Sequence, residues 1–96
     1  MQRKKRGRPC LRKKINFQAQ IKYFKPQGVP AATLDIIELN KEELEALRLK
    51  NIEGFDQITS AKKMQTSQSS FQRILTQAYQ KISDALVNGK AIQILD

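Results

Sequence analysis

The most regular pattern in the chain begins at Phe71. Apolar residues at Ile74, Leu75, Ala78, Ile82, Ala85 and Leu86 follow it at offsets 3, 4, 7, 11, 14 and 15, the spacing of one face of an α-helix. Ser67 is placed to cap this helix and Gly89 to stop it, so the pattern predicts about six turns, roughly 30 Å long. A shorter helical segment starts at Gln57 and closes at Met64. Its Ala61 is small enough for two helices meeting at a steep angle to approach closely. Gln57 to Asn88 therefore reads as short helix, tight turn and long second helix, with the motif proper over about 57–76 and the second helix running to about 88.

Upstream, Asn40 predicts an N-cap and Glu43 the reciprocal partner of a capping box. The LEALRLKN run after them favours helix, with Leu44, Leu47 and Ile52 as its buried stripe, Gly54 as its stop, and an acidic outer face formed by Glu42, Glu45 and Glu53. Before it the texture is different. Ile15 and Phe17 alternate with polar residues, a weak strand signal. Tyr23 to Pro30 combines two aromatics with two prolines and a glycine, an ordered turn whose rings are expected to pack in the core. Leu34 to Leu39 reads as a short strand and Ala91 to Leu95 as a terminal one, whose partner is Ile15 to Phe17 or Leu34 to Leu39, in the same chain or in a second copy. The expected fold is mainly α, a helix-turn-helix three-helix core with a few short strands near the N- and C-terminal ends. Residues 15–96 form one domain.

Charge adds a second region. The 96-residue chain carries 18 Lys and Arg against 9 Asp and Glu, a formal charge of +9. Ten of the basic residues lie in the first 25 positions, where there is no acid, so the excess belongs to the N-terminus. Residues 1–14 are expected to form a flexible basic arm, carrying Arg3, Lys4, Lys5, Arg6, Arg8, Arg12, Lys13 and Lys14, that anchors on a polyanion. Within it Lys5-Arg6-Gly7-Arg8-Pro9 resembles the core of the AT-hook: Gly7 permits close approach to a groove floor and Arg6 and Arg8 suit a narrow minor groove, while sequence-blind phosphate contact needs only the charge.

Composition also bounds the chemistry. Histidine is absent and Cys10 is the one cysteine, so a single chain assembles neither a Cys/His zinc site nor a nucleophile–His pair. No catalytic residue, metal or cofactor is expected. No apolar run approaches membrane-spanning length, and the first residues lack a signal core, which points to a cytoplasmic, nucleoid-associated protein.

On the second helix of the motif, the first turns leave Gln68, Ser69, Gln72, Arg73 and Thr76 off the apolar stripe. Glutamine pairs with adenine and arginine with guanine through two hydrogen bonds each, so Gln68, Ser69, Gln72 and Arg73 are the candidate base readers. Lys62, Lys63, Ser67 and Thr76 are the candidate backbone contacts. A solvated polar face is the plain alternative. Against it, no acid occurs from Gln57 through Lys81.

The run from Glu42 to Leu86 resembles the DNA-binding region four of bacterial sigma factors. Tyr23-Phe24-Lys25-Pro26 with Gly28 and Pro30, Glu43 to Leu49, Glu53-Gly54, Phe71 with Arg73-Ile74-Leu75, and Asp84 to Ala91 resemble a family of small prokaryotic predicted DNA-binding proteins of unknown function, domain of unknown function family 134, UPF0251-like. The resemblance covers nearly the whole chain beyond the arm. It implies that the second helix of the motif is the reader, and it implies no catalytic activity. The sequence departs from the pattern at the turn, where Gln65-Thr66-Ser67 replaces the usual Gly-aliphatic-Ser, and at Ser60, where a small or apolar residue is usual. A positive φ is expected at Gln65, at about 1 kcal/mol.

These readings converge on sequence-specific binding of double-stranded DNA by a transcriptional regulator, with homodimerisation on repeated half-sites. The alternatives are a protein-interaction module docking on the transcription machinery, with only nonspecific nucleic-acid affinity, and then RNA binding through the arm with the ordered domain as scaffold.

Overall fold

The computed structural model describes residues 14–95. Arg3, Lys4, Lys5, Arg6, Arg8, Cys10, Arg12 and Lys13 lie outside the described residues, as does the AT-hook-like element. The chain in order forms β1 (Tyr23–Phe24), a 3-10 turn (Ala31–Thr33), β2 (Ile36–Leu39), α1 (Lys41–Leu47), a π-helical turn (Arg48–Ile52), α2 (Gln57–Lys63), α3 (Gln68–Asn88) and β3 (Ala91–Ile94). It is mainly α with a small three-stranded sheet, as expected.

The helix ends reflect local chemistry. The Glu43 N–H donates to Asn40 Oδ1 at 2.8 Å and the Asn40 N–H donates to Glu43 Oε1 at 3.0 Å, so the capping box starts α1 where it was expected. Asp56 and Ser67 cap α2 and α3 by accepting from the Thr59 and Ser70 N–H groups. The α3 helix ends at Gly89 in the left-handed region at φ 67°.

The end of α1 differs from a regular helix. The Glu53 N–H donates to the Arg48 carbonyl, five residues back, and this widened turn changes the direction in which the neighbouring side chains point. Leu49 enters the core at 2 % exposure, while Ile52, the expected stripe residue, is turned out at 79 %. The acidic outer face is likewise corrected, because Glu45 is buried. Its carboxylate receives Arg48 Nε and Nη2, each at 2.9 Å, which balances the charge that burial would otherwise strand.

The core joins Ala46 and Leu49 with Ala61 and Met64 of the α2 region and Phe71, Ile74 and Leu75 of α3, with Leu47 and Phe55 packed against it. Ala61 lies in this cluster, as its size requires. Leu86 does not belong to the inward series and is 76 % exposed. At 3.6 residues per turn it sits about 60° off the Phe71 line, and Ala85, which stays closer to that line, is the buried residue.

The sheet has the order β1-β3-β2, with β3 central. β2 pairs parallel with β3, Ile36 opposite Ala91 and Leu39 opposite Ile94, across a crossover that contains the whole helical unit. β3 therefore takes its partner from Leu34 to Leu39 of the same chain. On its other side β1 pairs antiparallel, Tyr23 with Gln93 and Phe24 with Ile92. Ile15 to Phe17 is not a strand, and Tyr23 and Phe24 are exposed strand residues rather than core rings, since β1 is an edge strand. At the opposite edge Lys81 Nζ donates to the outward Glu38 carbonyl at 2.8 Å.

Candidate nucleic-acid interface

The turn between α2 and α3 is built from backbone bonds. Met64 ends α2, the Gln65 N–H donates to the Lys62 carbonyl at 3.0 Å, and the Thr66 N–H donates to the Ala61 carbonyl at 3.0 Å. This is a Schellman motif, whose residue after the cap is left-handed and usually glycine. Here it is Gln65 at φ 56°, the one non-glycine with positive φ among the described residues. One turn upstream, the Ser60 hydroxyl is buried with no hydrogen-bond partner among the described residues. Both departures from the family pattern thus fall where the helix pair is most constrained.

Beyond the turn, Ser67 accepts the Ser70 N–H at 3.1 Å, and its own hydroxyl hydrogen is free to donate to Ser69 Oγ at 3.4 Å or to an external acceptor. Gln68, Ser69, Gln72, Arg73 and Thr76 are all exposed along the first half of α3. Gln72 Nε2 donates to Thr76 Oγ1 at 3.2 Å, which orients both amide and hydroxyl on the outer surface. Arg73 makes no hydrogen bond or ion pair among the described residues. The candidate base readers are therefore one contiguous exposed set with Thr76 beside them.

The candidate backbone contacts divide. Lys62 and Lys63 are exposed in the last turn of α2, but Lys63 Nζ lies 4.7 Å from the centre of the Phe55 ring and is held there by cation–π attraction. Lys81, at the end of the acid-free run, faces the other way and pairs with buried Glu43 at 2.8 Å. Nearby acids are engaged internally: Glu45 and Glu53 both hold Arg48. Asp56 caps α2, and its carboxyl is held below its ordinary pKa first by the Thr59 backbone N–H, with a smaller contribution from Lys62.

The sequence reading missed how the arm meets this surface. The Lys14 N–H donates to the Met64 carbonyl at 2.9 Å, and two residues later the Asn16 N–H donates to Glu45 Oε2 at 3.1 Å. Arg48, which fixes that carboxylate, also stands 5.6 Å over the Phe17 ring. Buried Glu45 is therefore the post to which the root of the arm is tied, and the arm's last residue lies against the turn that leads into α3. Nothing local signals a contact between residues 50 positions apart, so no sequence pattern reveals it.

The family model described as "Protein of unknown function DUF134" matches residues 1–96. A UPF0251 protein of Halothermothrix orenii is 44 % identical over 87 residues, which cover 91 % of this chain and 64 % of that protein. The UPF0251 protein of Caldanaerobacter subterraneus subsp. tengcongensis is 47 % identical over 87 residues, 91 % of this chain and 74 % of its own. That of Caldicellulosiruptor saccharolyticus is 50 % identical over 88 residues, 91 % and 60 % respectively. The chain thus spans from 60 to 74 % of the length of these curated relatives. No solved structure matches it. Among the described residues no helix is long and apolar enough to cross a membrane. With its family model matched over residues 1–96, the chain belongs to the family of proteins of unknown function DUF134.

Proposed function

We propose that this protein binds double-stranded DNA in a sequence-specific manner as a transcriptional regulator in the prokaryotic cytoplasm, without catalytic activity. The first half of α3 enters the major groove, where Gln68, Ser69, Gln72 and Arg73 meet base edges. Lys62, Lys63, Ser67 and Thr76 meet the sugar–phosphate backbone. The arm tracks phosphates or the adjacent minor groove.

The observation that carries this reading is the Lys14 to Met64 backbone bond. A positively charged arm and a polar, acid-free helix face serve one ligand only if they start from the same place. That bond roots the arm at the turn from which α3 begins. The division of labour is then physical: phosphate neutralisation gives affinity without sequence preference, and base-edge hydrogen bonds give choice.

The test is selection from random duplexes with the full chain, and then Arg73→Ala on the enriched sites. The substitution is expected to cost about 1–3 kcal/mol on selected sites and much less on random duplex. Equal losses on both remove Arg73 as a reader. Failure to enrich any sequence overturns sequence-specific reading and favours the docking module with nonspecific affinity.

A further inference from the structure

We propose that the outer flank of distal α3, carrying Tyr79, Ile82, Ser83 and Leu86 and bordered by Ile52, is the surface on which a second copy of this chain docks. The match to half-site spacing rests on the DNA-reading proposal, whereas the association itself does not.

Three observations lead to this assignment. The flank is apolar and open to solvent: Ile52 and Leu86 are 79 % and 76 % exposed and Tyr79 42 %, while Ile82 is half-buried at its inner edge. Reciprocal hydrogen bonds between the Asn51 amide and Tyr79 Oη, at 2.8 and 3.0 Å, bring the π-helical turn to the same side and place Ile52 at its border. Such a patch on an otherwise polar helix marks an interaction site.

Next, the flank is complementary to itself when reversed. About an axis between Ile82 and Ser83, an antiparallel copy sets Tyr79 against Leu86 and Ile82 against Ser83, in both directions at once, as a two-fold interface requires. Ser83 is small enough to let the helix axes approach. None of these four positions is charged, and the neighbouring charges are already paired, Lys81 with Glu43 and Asp84 with Lys90. Two copies therefore meet without placing unpaired like charges together.

Finally, the length of α3 fits. The candidate reading segment is centred on Gln72, and at about 1.5 Å per residue an antiparallel pair crossing near residue 82 sets two such segments roughly 32 Å apart. Successive half-sites on one face of DNA lie about 34–36 Å apart. This accounts for a helix longer than groove reading alone requires. The patch is small beside a standard interface of about 800 Å² per partner, so the free chain associates weakly and DNA stabilises the pair.

Sedimentation of the full chain without DNA over a wide concentration range tests the interface. A concentration-dependent monomer–dimer equilibrium is expected, weakened about tenfold or more by Leu86→Asp at unchanged helical content, since the side chain is exposed. In a Cys10→Ser background, Ser83→Cys is expected to form a disulfide-linked dimer under mild oxidation. A strictly monomeric parent chain, or a Leu86→Asp chain that dimerises as well as the parent, overturns the proposal. A monomer that still enriches a single half-site overturns this interface and leaves DNA reading standing. A dimer that enriches no sequence does the reverse.

Discussion

At the scale of single residues, Gln65 shows most directly where this chain departs from its best local solution. The Schellman turn requires a left-handed residue, and a side chain there crowds the next carbonyl. Gln65 occupies it at φ 56°. Gln65→Gly is expected to stabilise the fold by about 1 kcal/mol, read as a higher urea or thermal midpoint. A variant no more stable than the parent would show that this turn carries no strain. The turn's location was legible from the helical patterns on either side, and its awkward residue from the resemblance, which puts glycine where this chain has Gln65. The fate of Glu45 was not. Its carboxylate is stabilised by Arg48 three residues on, a local pair, and by the Asn16 N–H, which is not local. Only the second contact explains why the carboxylate lies inward, tying down the root of the arm.

At the scale of elements, buried Glu45 and Ala46 set the inward face of the first helical unit, and the π-helical turn ends it. Leu49 follows buried Glu45 and Ala46 by four and three residues and so lies on the inward face, whereas Ile52 stands about 140° from Leu47 and is turned out in the wide turn closed by the bond from Glu53 to Arg48. Leu49→Ala is therefore expected to destabilise the protein by about 2–5 kcal/mol, whereas Ile52→Ala should stay within about 0.5 kcal/mol in the free chain. Chemical denaturation of the two variants checks the contrast, and comparable losses would return Ile52 to the core. The same turn brings Asn51 to Tyr79, so it also shapes the apolar flank of α3. Periodicity was reliable for Phe71, Ile74, Leu75, Ala78 and Ala85, which are buried, while Ile82 is half-buried at the edge of that face. It failed at Leu86, because the small sheet leaves that flank uncovered.

At the scale of the whole molecule, the arm and the domain act from one origin. The arm's eight basic residues, in a stretch of 25 without an acid, give the N-terminus most of its charge, and the hydrogen bonds of Lys14 and Asn16 fix where that charge emerges. Removing residues 1–13 keeps both bonds and should leave the melting curve nearly unchanged. It should flatten the dependence of log affinity on log salt by about 0.9 for each phosphate that the arm neutralises. Fluorescence anisotropy with duplex DNA at several salt concentrations measures this, and an unchanged slope would remove the arm from the binding surface. Caps, turns and the inward stripe of α3 are set by interactions within a few residues, so the sequence by itself determined the capping box at Asn40, the Ser67 cap, the turn at Gln65 and the exposed polar set from Gln68 to Thr76. Which strand pairs with β3, which of Leu49 and Ile52 is core, and where the arm departs depend on contacts between distant residues. Local spacing carries no record of such contacts, and only the tertiary structure decided them.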